Sequence, residues 1–258
     1  MSAPAQLRAE FEAALVGPGG PVAAADRLCA ACVSLLHVDG AAVSLMYEGS
    51  TQGTFGSSGE LSRELDEYQF TFGEGPCMDA ISARRPVLVP DLADTGAPRW
   101  PAYSAAVLDT GVHGVFALPV SIERTYVGVL DLFRYASGPL SEEALTGGLM
   151  GARLAALPLL DLISKDLHLE DVRATPDGPA EPQEWSALSS LERVEVYQAT
   201  GMLMEHLGVG AGEALVRLRA HAFATDRTAS EVAWAVVERR LVLPDDLDHD
   251  RGDAGAPQ

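Results

Sequence analysis

Val112-His-Gly-Val-Phe-Ala-Leu-Pro-Val-Ser121, the pair Glu123-Arg124, and Thr125-Tyr-Val-Gly-Val-Leu-Asp-Leu-Phe-Arg-Tyr135 decide the architecture of this chain. Two apolar runs rich in branched and aromatic residues, separated by a short polar turn, read as a β-hairpin. Upstream, Ala41 to Tyr47 alternates as a strand after an Asp39-Gly40 turn, and Thr51 to Phe55 is a weaker one. Pro86-Val-Leu-Val-Pro-Asp-Leu92 is a short strand ending in a turn. Helical spacing surrounds these strands. Leu7, Phe11 and Leu15 recur every four residues; Ala23 to Leu36, Leu61 to Phe70, and a stretch opened by Arg99-Trp-Pro-Ala-Tyr103 and stopped at Gly111 continue the pattern. Pro76 stands just inside a short helix start. Ser141-Glu-Glu143 opens a long helix to about Leu169, with a kink expected at Pro158. Antiparallel strands flanked by helices make an α+β domain.

Three further helical patterns follow. The first runs from about Leu188 to Leu207 and stops at Gly208, the second from Glu213 to Ala224, and the third starts at the capping box Thr228-Ala-Ser-Glu231. The first is apolar on more than one side: Leu191, Val194, Tyr197 and Gly201 mark one stripe, and Val196, Ala199, Met202, Leu203 and Met204 cover others. Such a helix is expected to pack within its own domain and against a partner helix, which predicts a homodimer through this helix and the long exit helix. Ala214, Leu215, Leu218 and Ala222, then Val232, Ala233, Val236 and Val237, are the expected core of the other two, with Arg239 and Arg240 in the last turn. The expected division is 1–21 as an N-terminal helix and turn, 22–169 as the α+β domain with its exit helix, 170–185 as a flexible linker, 186–242 as the all-α three-helix domain, and 243–258 as an acidic disordered tail.

The chain has 258 residues and a formal charge of −19, which argues against a general nucleic-acid coat or an anionic membrane as partner. From Ser186 to Leu241, however, six arginines (193, 217, 219, 227, 239, 240) meet seven acids, a net of −1, so almost all of the excess lies elsewhere. Nucleic-acid binding there must come from a local patch. Three cysteines, Cys29, Cys32 and Cys77, fit a reducing cytoplasm better than a disulfide scaffold. Cys29-Ala-Ala-Cys32 has no second pair to complete a zinc site and is expected in the core; no metal site is expected. The run Gly147 to Ile163 is interrupted by Arg153, Pro158 and Asp161, so no membrane span is expected. No phosphate loop, nucleophile elbow or metalloprotease helix is present, and no enzyme activity is expected.

Gly73-Glu-Gly-Pro-Cys77, Val89-Pro-Asp-Leu92, Trp100-Pro101 and Gly128-Val-Leu-Asp-Leu-Phe133, in this order and spacing, resemble the GAF domain family. That resemblance implies a small-molecule sensor with its ligand between the sheet and the helices of one face. The ligand itself stays unknown, as does any cofactor; a redox signal is the other open input. Asp131 is an ionisable group inside an apolar strand, and alternation places it with Val127, Val129 and Phe133. It either lines that cavity, beside Ser44 and Met46, or hydrogen-bonds a loop backbone. Cys77 at a helix start and His113 complete the candidate ligand set, each with an alternative reading as a packed or satisfied side chain.

The segment with Gln198-Ala199, Gly201-Met-Leu-Met204, Gly208, Glu213-Ala214, Leu218-Arg219, Ala222 and Val232-Ala233 is similar to the ANTAR domain. This implies a dimer that binds RNA stem-loops in nascent transcripts and controls transcription termination. Arg193, Gln198, Thr200, Gly201, Arg217, Arg219, His221 and Arg227 are the candidate RNA-binding residues. Thr200 stands where many family members have lysine, and Asp226 where asparagine is common. Both departures lower donor capacity, which leaves open a second function, a protein-interaction or dimerisation adaptor that no longer binds RNA.

Overall fold

A computed structural model describes residues 3–47, 50–94, 99–173 and 193–244. The chain divides into two compact units, Met1–Glu192 and Arg193–Gln258.

In the first unit the elements run α1 (Ala3–Leu15), α2 (Gly20–Leu36), β1 (Gly40–Tyr47), β2 (Ser50–Ser57), α3 (Glu60–Phe72), α4 (Pro76–Ala83), β3 (Val87–Val89), α5 (Pro101–Asp109), β4 (Gly114–Ile122), β5 (Thr125–Arg134) and α6 (Glu142–Arg173). The strands form one antiparallel sheet in the order β2-β1-β5-β4-β3. The hairpin read from the sequence is its centre: Phe116 pairs with Leu132 and Ala117 with Asp131.

Strand alternation then sorts the side chains into two layers. Leu130 and Leu132 of β5 pack with Phe11, Leu28, Cys32 and Leu36 from α1 and α2 and with Ala155 and Leu159 from α6. Val129 and Phe133 pack on the opposite face with Leu65, Cys77, Tyr103 and Val107 from α3, α4 and α5. Val127 does not share that second face. The β4–β5 register shifts between Val120, opposite Gly128, and Ser121, opposite Tyr126, so Val127 is the extra residue of a bulge. It packs with the α1–α2–α6 layer instead. Gly128 follows the bulge because a Cβ there would stand 2.5 Å from the Ser44 carbonyl oxygen.

Cys29 and Cys32 are buried one turn apart in α2. Burial pushes the Cys32 thiol up to about 12; burial, then Cys32 itself, raises Cys29 as well. Both therefore stay protonated and unreactive at neutral pH. Glu142–Leu162 within α6 has the length and mean hydropathy, 1.2, of a membrane span, yet half of that stretch is buried in the protein. The helix runs on to Arg173 rather than ending near Leu169. The rest of the expected linker and the expected helix start at Leu188 lie outside the described residues.

The second unit is three helices: α7 (Val194–Leu207), α8 (Ala211–Ala224) and α9 (Ala229–Val237). Gly208 closes α7 in the left-handed conformation, and the Thr228–Glu231 capping box opens α9 with both reciprocal bonds formed. Its core is Val196, Ala199, Leu203 and Leu207 against Ala214, Leu218 and Ala222 and against Ala229, Val232, Ala233 and Val236. Five alanines among these let the helices approach closely. Leu215 and Val237 are only partly buried, while Leu243, expected in the tail, is buried. The remainder of the tail lies outside the described residues. Arg239 and Arg240 fall beyond the end of α9, since Glu238 caps it and Arg239 turns left-handed with φ 57°.

Candidate functional site

The first unit holds a buried polar cluster where the sheet meets α3, α4 and α5. Ser44, Thr54, Asp66, Gln69 and Asp131 are each at most 8% exposed, and Cys77 and Tyr103 are fully buried. The motif at Gly73–Cys77 explains how they meet. Gly73 ends α3 in the left-handed conformation. Glu74 accepts from the backbone N–H groups of Ala102, at 2.7 Å, and Tyr103, at 3.1 Å, which ties down the start of α5 and seats Tyr103. Gly75, with φ 148°, leaves room for Gln69, whose Oε1 would lie 2.5 Å from any Cβ there. Pro76 then starts α4, and the Cys77 N–H donates to Gln69 Oε1 at 2.7 Å.

Gln69 thereby has its amide group oriented, and its Nε2 donates to Asp131 Oδ2 at 2.9 Å. The partner of Asp131 is thus a side chain on α3, not a loop backbone. Asp66 accepts from the Ser44 hydroxyl and, at 2.6 Å, from Thr54. Cys77 Sγ lies 3.8 Å from Ser44 Oγ and 3.7 Å from Met46 Sδ. Asp131 Oδ1 and the Tyr103 hydroxyl are buried without a hydrogen-bond partner among the described residues. Burial raises the Asp131 carboxyl well above the ordinary carboxylate range; Asp66 adds to the rise, and the Gln69 bond opposes it. Burial and then Asp131, Asp66 and Cys77 likewise raise Tyr103.

Of the five candidate ligand residues, the structure brings Ser44, Met46, Cys77 and Asp131 together. His113 stands apart, half-exposed at the start of β4, with Nδ1 3.1 Å from Asp91 Oδ1. Its neighbour in sequence, Gly114, begins the strand, so His113 belongs to the sheet's end rather than its face. Thr54, Asp66, Gln69 and Tyr103 were not anticipated. The signal was present on α3, where the polar Asp66 and Gln69 share the buried stripe of Leu65 and Phe70. A count of apolar spacing passes over them.

In the second unit the candidate residues divide by exposure. Arg193 is buried, 5% exposed, at the N-cap of α7, which places it in the fold rather than on a surface. Gln198 and Gly201 are exposed, and a Cβ on Gly201 would meet nothing within 4 Å. Thr200 Oγ1 donates back to the Val196 carbonyl at 2.7 Å. Arg217, Arg219, His221 and Arg227 are partly exposed. Arg217 pairs with Glu213 at 2.8 Å one turn back on α8, and Arg227 donates to the Glu231 carbonyl at 2.6 Å. Asp226 sits at φ 50°, a left-handed position that suits asparagine or aspartate, so its side-chain type answers to the backbone. Apolar side chains also face outward: Val194, Tyr197 and Met204 on α7, Val216 and Phe223 on α8, and Trp234 on α9.

A family model described as GAF domain matches residues 21–152, and one described as ANTAR domain matches residues 189–237. Among solved structures, the GAF domain from a phosphoenolpyruvate-protein phosphotransferase of Coxiella burnetii is 14% identical, with a TM-score of 0.51 over 64% of this chain and 96% of that one. The corresponding GAF domain from Acinetobacter is 12% identical, with a TM-score of 0.49 over 65% and 99%. A free methionine-R-sulfoxide reductase from Neisseria meningitidis is 17% identical, with a TM-score of 0.45 over 64% and 91%. At these identities the first structure supports the fold, and the other two carry no weight for function. No curated protein matches the chain.

Proposed function

The chain belongs to the GAF domain family and carries an ANTAR domain behind it, and from that premise we propose a sensor-regulator that binds RNA stem-loops in nascent transcripts to control transcription termination. The observation that carries this reading is the pairing of the two regulatory modules in one chain. The proposed division of labour gives 22–169 the sensing role and 186–242 the RNA. The two families are regulatory rather than catalytic, and the proposed place of action is the cytoplasm.

The proposed RNA face uses the partly exposed Arg217, Arg219, His221 and Arg227 for phosphates, with Gln198, Thr200 and Gly201 where a loop base can approach α7. Arg193 is left out of it because it is buried. The outward side chains of Val194, Tyr197 and Met204 on α7, with the long exit helix, are proposed to pair two copies. Ligand binding in the sensor domain would favour one arrangement of the paired output domains over another.

The adaptor function has its own support: Arg217 already pairs with Glu213 and Arg227 already donates to the Glu231 carbonyl, and apolar side chains face outward nearby. A gel shift of the full chain with a tandem stem-loop RNA at low salt separates the two. The RNA reading expects a shift that R217E/R219E abolishes while the circular dichroism stays unchanged. No shift, or a shift that ignores the reversal, favours the adaptor.

A further inference from the structure

The buried cluster of the first unit holds two carboxyl groups and no matching positive charge. Asp66 and Asp131 are two fully buried carboxyl groups, and no basic side chain contributes to the charge environment of Asp131 or Tyr103 among the described residues. Asp66 has its acceptors filled by Ser44 and Thr54. Asp131 has only one oxygen filled, by Gln69, and its Oδ1 and the Tyr103 hydroxyl remain without partners. An unpartnered carboxyl oxygen and an unpartnered phenol hydroxyl, which can accept as well as donate, lie buried with a second carboxyl group and mark a place with room for a hydrogen-bonding partner.

Asp131 is paired across the strands with Ala42 on one side and Ala117 on the other. Directly paired residues share a face, so the cross-strand neighbours of the carboxyl are two methyl groups. No group of three or more metal-ligating side chains occurs among the described residues, so the donor set does not suit a metal ion. An anion would meet two carboxyl groups and no cation.

We propose that this cluster is the recognition centre of the sensor domain, and that its ligand is a small organic cation with a primary ammonium group, held by Asp131 Oδ1 and the Tyr103 hydroxyl. The proposal rests on the sensor reading above and adds the chemical class of the ligand. Binding would release the proton that the buried Asp131 carboxyl holds in the free protein, so that the ammonium N–H groups donate to the Asp131 carboxylate and to the Tyr103 oxygen and the ammonium charge offsets the carboxylate. Gln69 and Gly75 act one step behind, by fixing the carboxyl in place.

The experiment follows thermal unfolding of the full chain in methylammonium chloride, against equal concentrations of sodium chloride, tetramethylammonium chloride and acetamide. The expected result is a saturable rise in the midpoint with methylammonium alone, because tetramethylammonium has the charge but no N–H. Asp131→Asn should weaken the response at least tenfold and Tyr103→Phe several-fold. A carbon-13 titration of the Asp131 carboxyl in the unsubstituted protein gives a second readout that needs no variant: methylammonium should move that resonance and tetramethylammonium should not. Equal responses to the two cations, an undiminished response in Asp131→Asn, or an unmoved carboxyl resonance would overturn the proposal. A response to acetamide alone would overturn the ligand class and leave the sensor reading standing. Stem-loop RNA shifted by the same protein without any amine tests the output reading separately.

Discussion

Replacing Asp131 by asparagine should make the ligand-free protein less sensitive to rising pH. The carboxyl is fully buried, and burial, then the neighbouring Asp66, lifts it above its ordinary value. In the unfolded chain it titrates near 3.9. Between that value and the folded one, the native state binds the proton and the unfolded state releases it. Stability therefore falls as pH rises through this window and levels off above the folded value. The slope for one proton is about 1.4 kcal/mol per pH unit. Asparagine cannot titrate, keeps an acceptor for Gln69, and removes the slope. A new amide without a partner costs about 1–3 kcal/mol, but that cost does not vary with pH.

The quantity to measure is the difference in unfolding free energy between wild type and D131N, from pH 4 upward. Denaturant unfolding should be followed at Trp100, which is buried in the first unit, with Trp185 and Trp234 replaced by phenylalanine. The account expects the difference to move in favour of the variant by up to about 1.4 kcal/mol per pH unit, then to plateau. Parallel curves for the two proteins would show that the carboxyl titrates alike in both states, and the account of the cluster would fail.

Gly75→Ala places a Cβ 2.5 Å from Gln69 Oε1 at a φ of 148°, so it should cost about 1–3 kcal/mol and displace the donor that holds Asp131; the Trp100 midpoint reads the loss. Thr228→Ala removes the acceptor for the Glu231 N–H and breaks the capping box, a loss of about 1 kcal/mol. It should lower the unfolding midpoint seen by Trp234 in α9 and leave that of Trp100 unchanged.

The fold was legible because its signals are local. The β4–β5 hairpin, the helix stop at Gly208 and the capping box at Thr228 each follow from a few adjacent residues. The bulge at Val127 was not legible, since it depends on how Ser121 and Gly128 pair across the strands. The candidate sensor site was half legible. Asp131 stands out as a carboxyl inside an apolar strand, and Ser44, Met46 and Cys77 join it through alternation and a helix start. Gln69 and Tyr103 reach it through tertiary contacts from α3 and α5, and no short-range pattern carries that. His113 shows the converse. A histidine beside a strand invites a ligand role, yet the turn carrying Asp91 gives it a local partner.

In the second unit sequence alone could not grade the arginines. Arg193 reads like any helix-flanking charge, and only packing shows it buried. Asp226 looks like a lost RNA donor until its φ of 50° gives it a backbone reason. Thr200 keeps its hydroxyl on Val196, so its presence lowers the positive charge of α7 without opening a new donor. These placements concentrate the RNA reading on Arg217, Arg219 and Arg227.

The most direct measurement is therefore the salt dependence of RNA binding by the full chain. Each loop phosphate neutralised by a guanidinium releases condensed counterions and contributes about −0.7 to the slope of log K against log salt. With three arginines engaged the slope should be near −2 for each copy bound, and R217Q/R219Q should reduce it by about 1.4 per copy while weakening binding to all stem-loops alike. A slope unchanged by neutralising both arginines, or no detectable binding to structured RNA at low salt, would contradict the assignment of the second unit as the RNA-binding output.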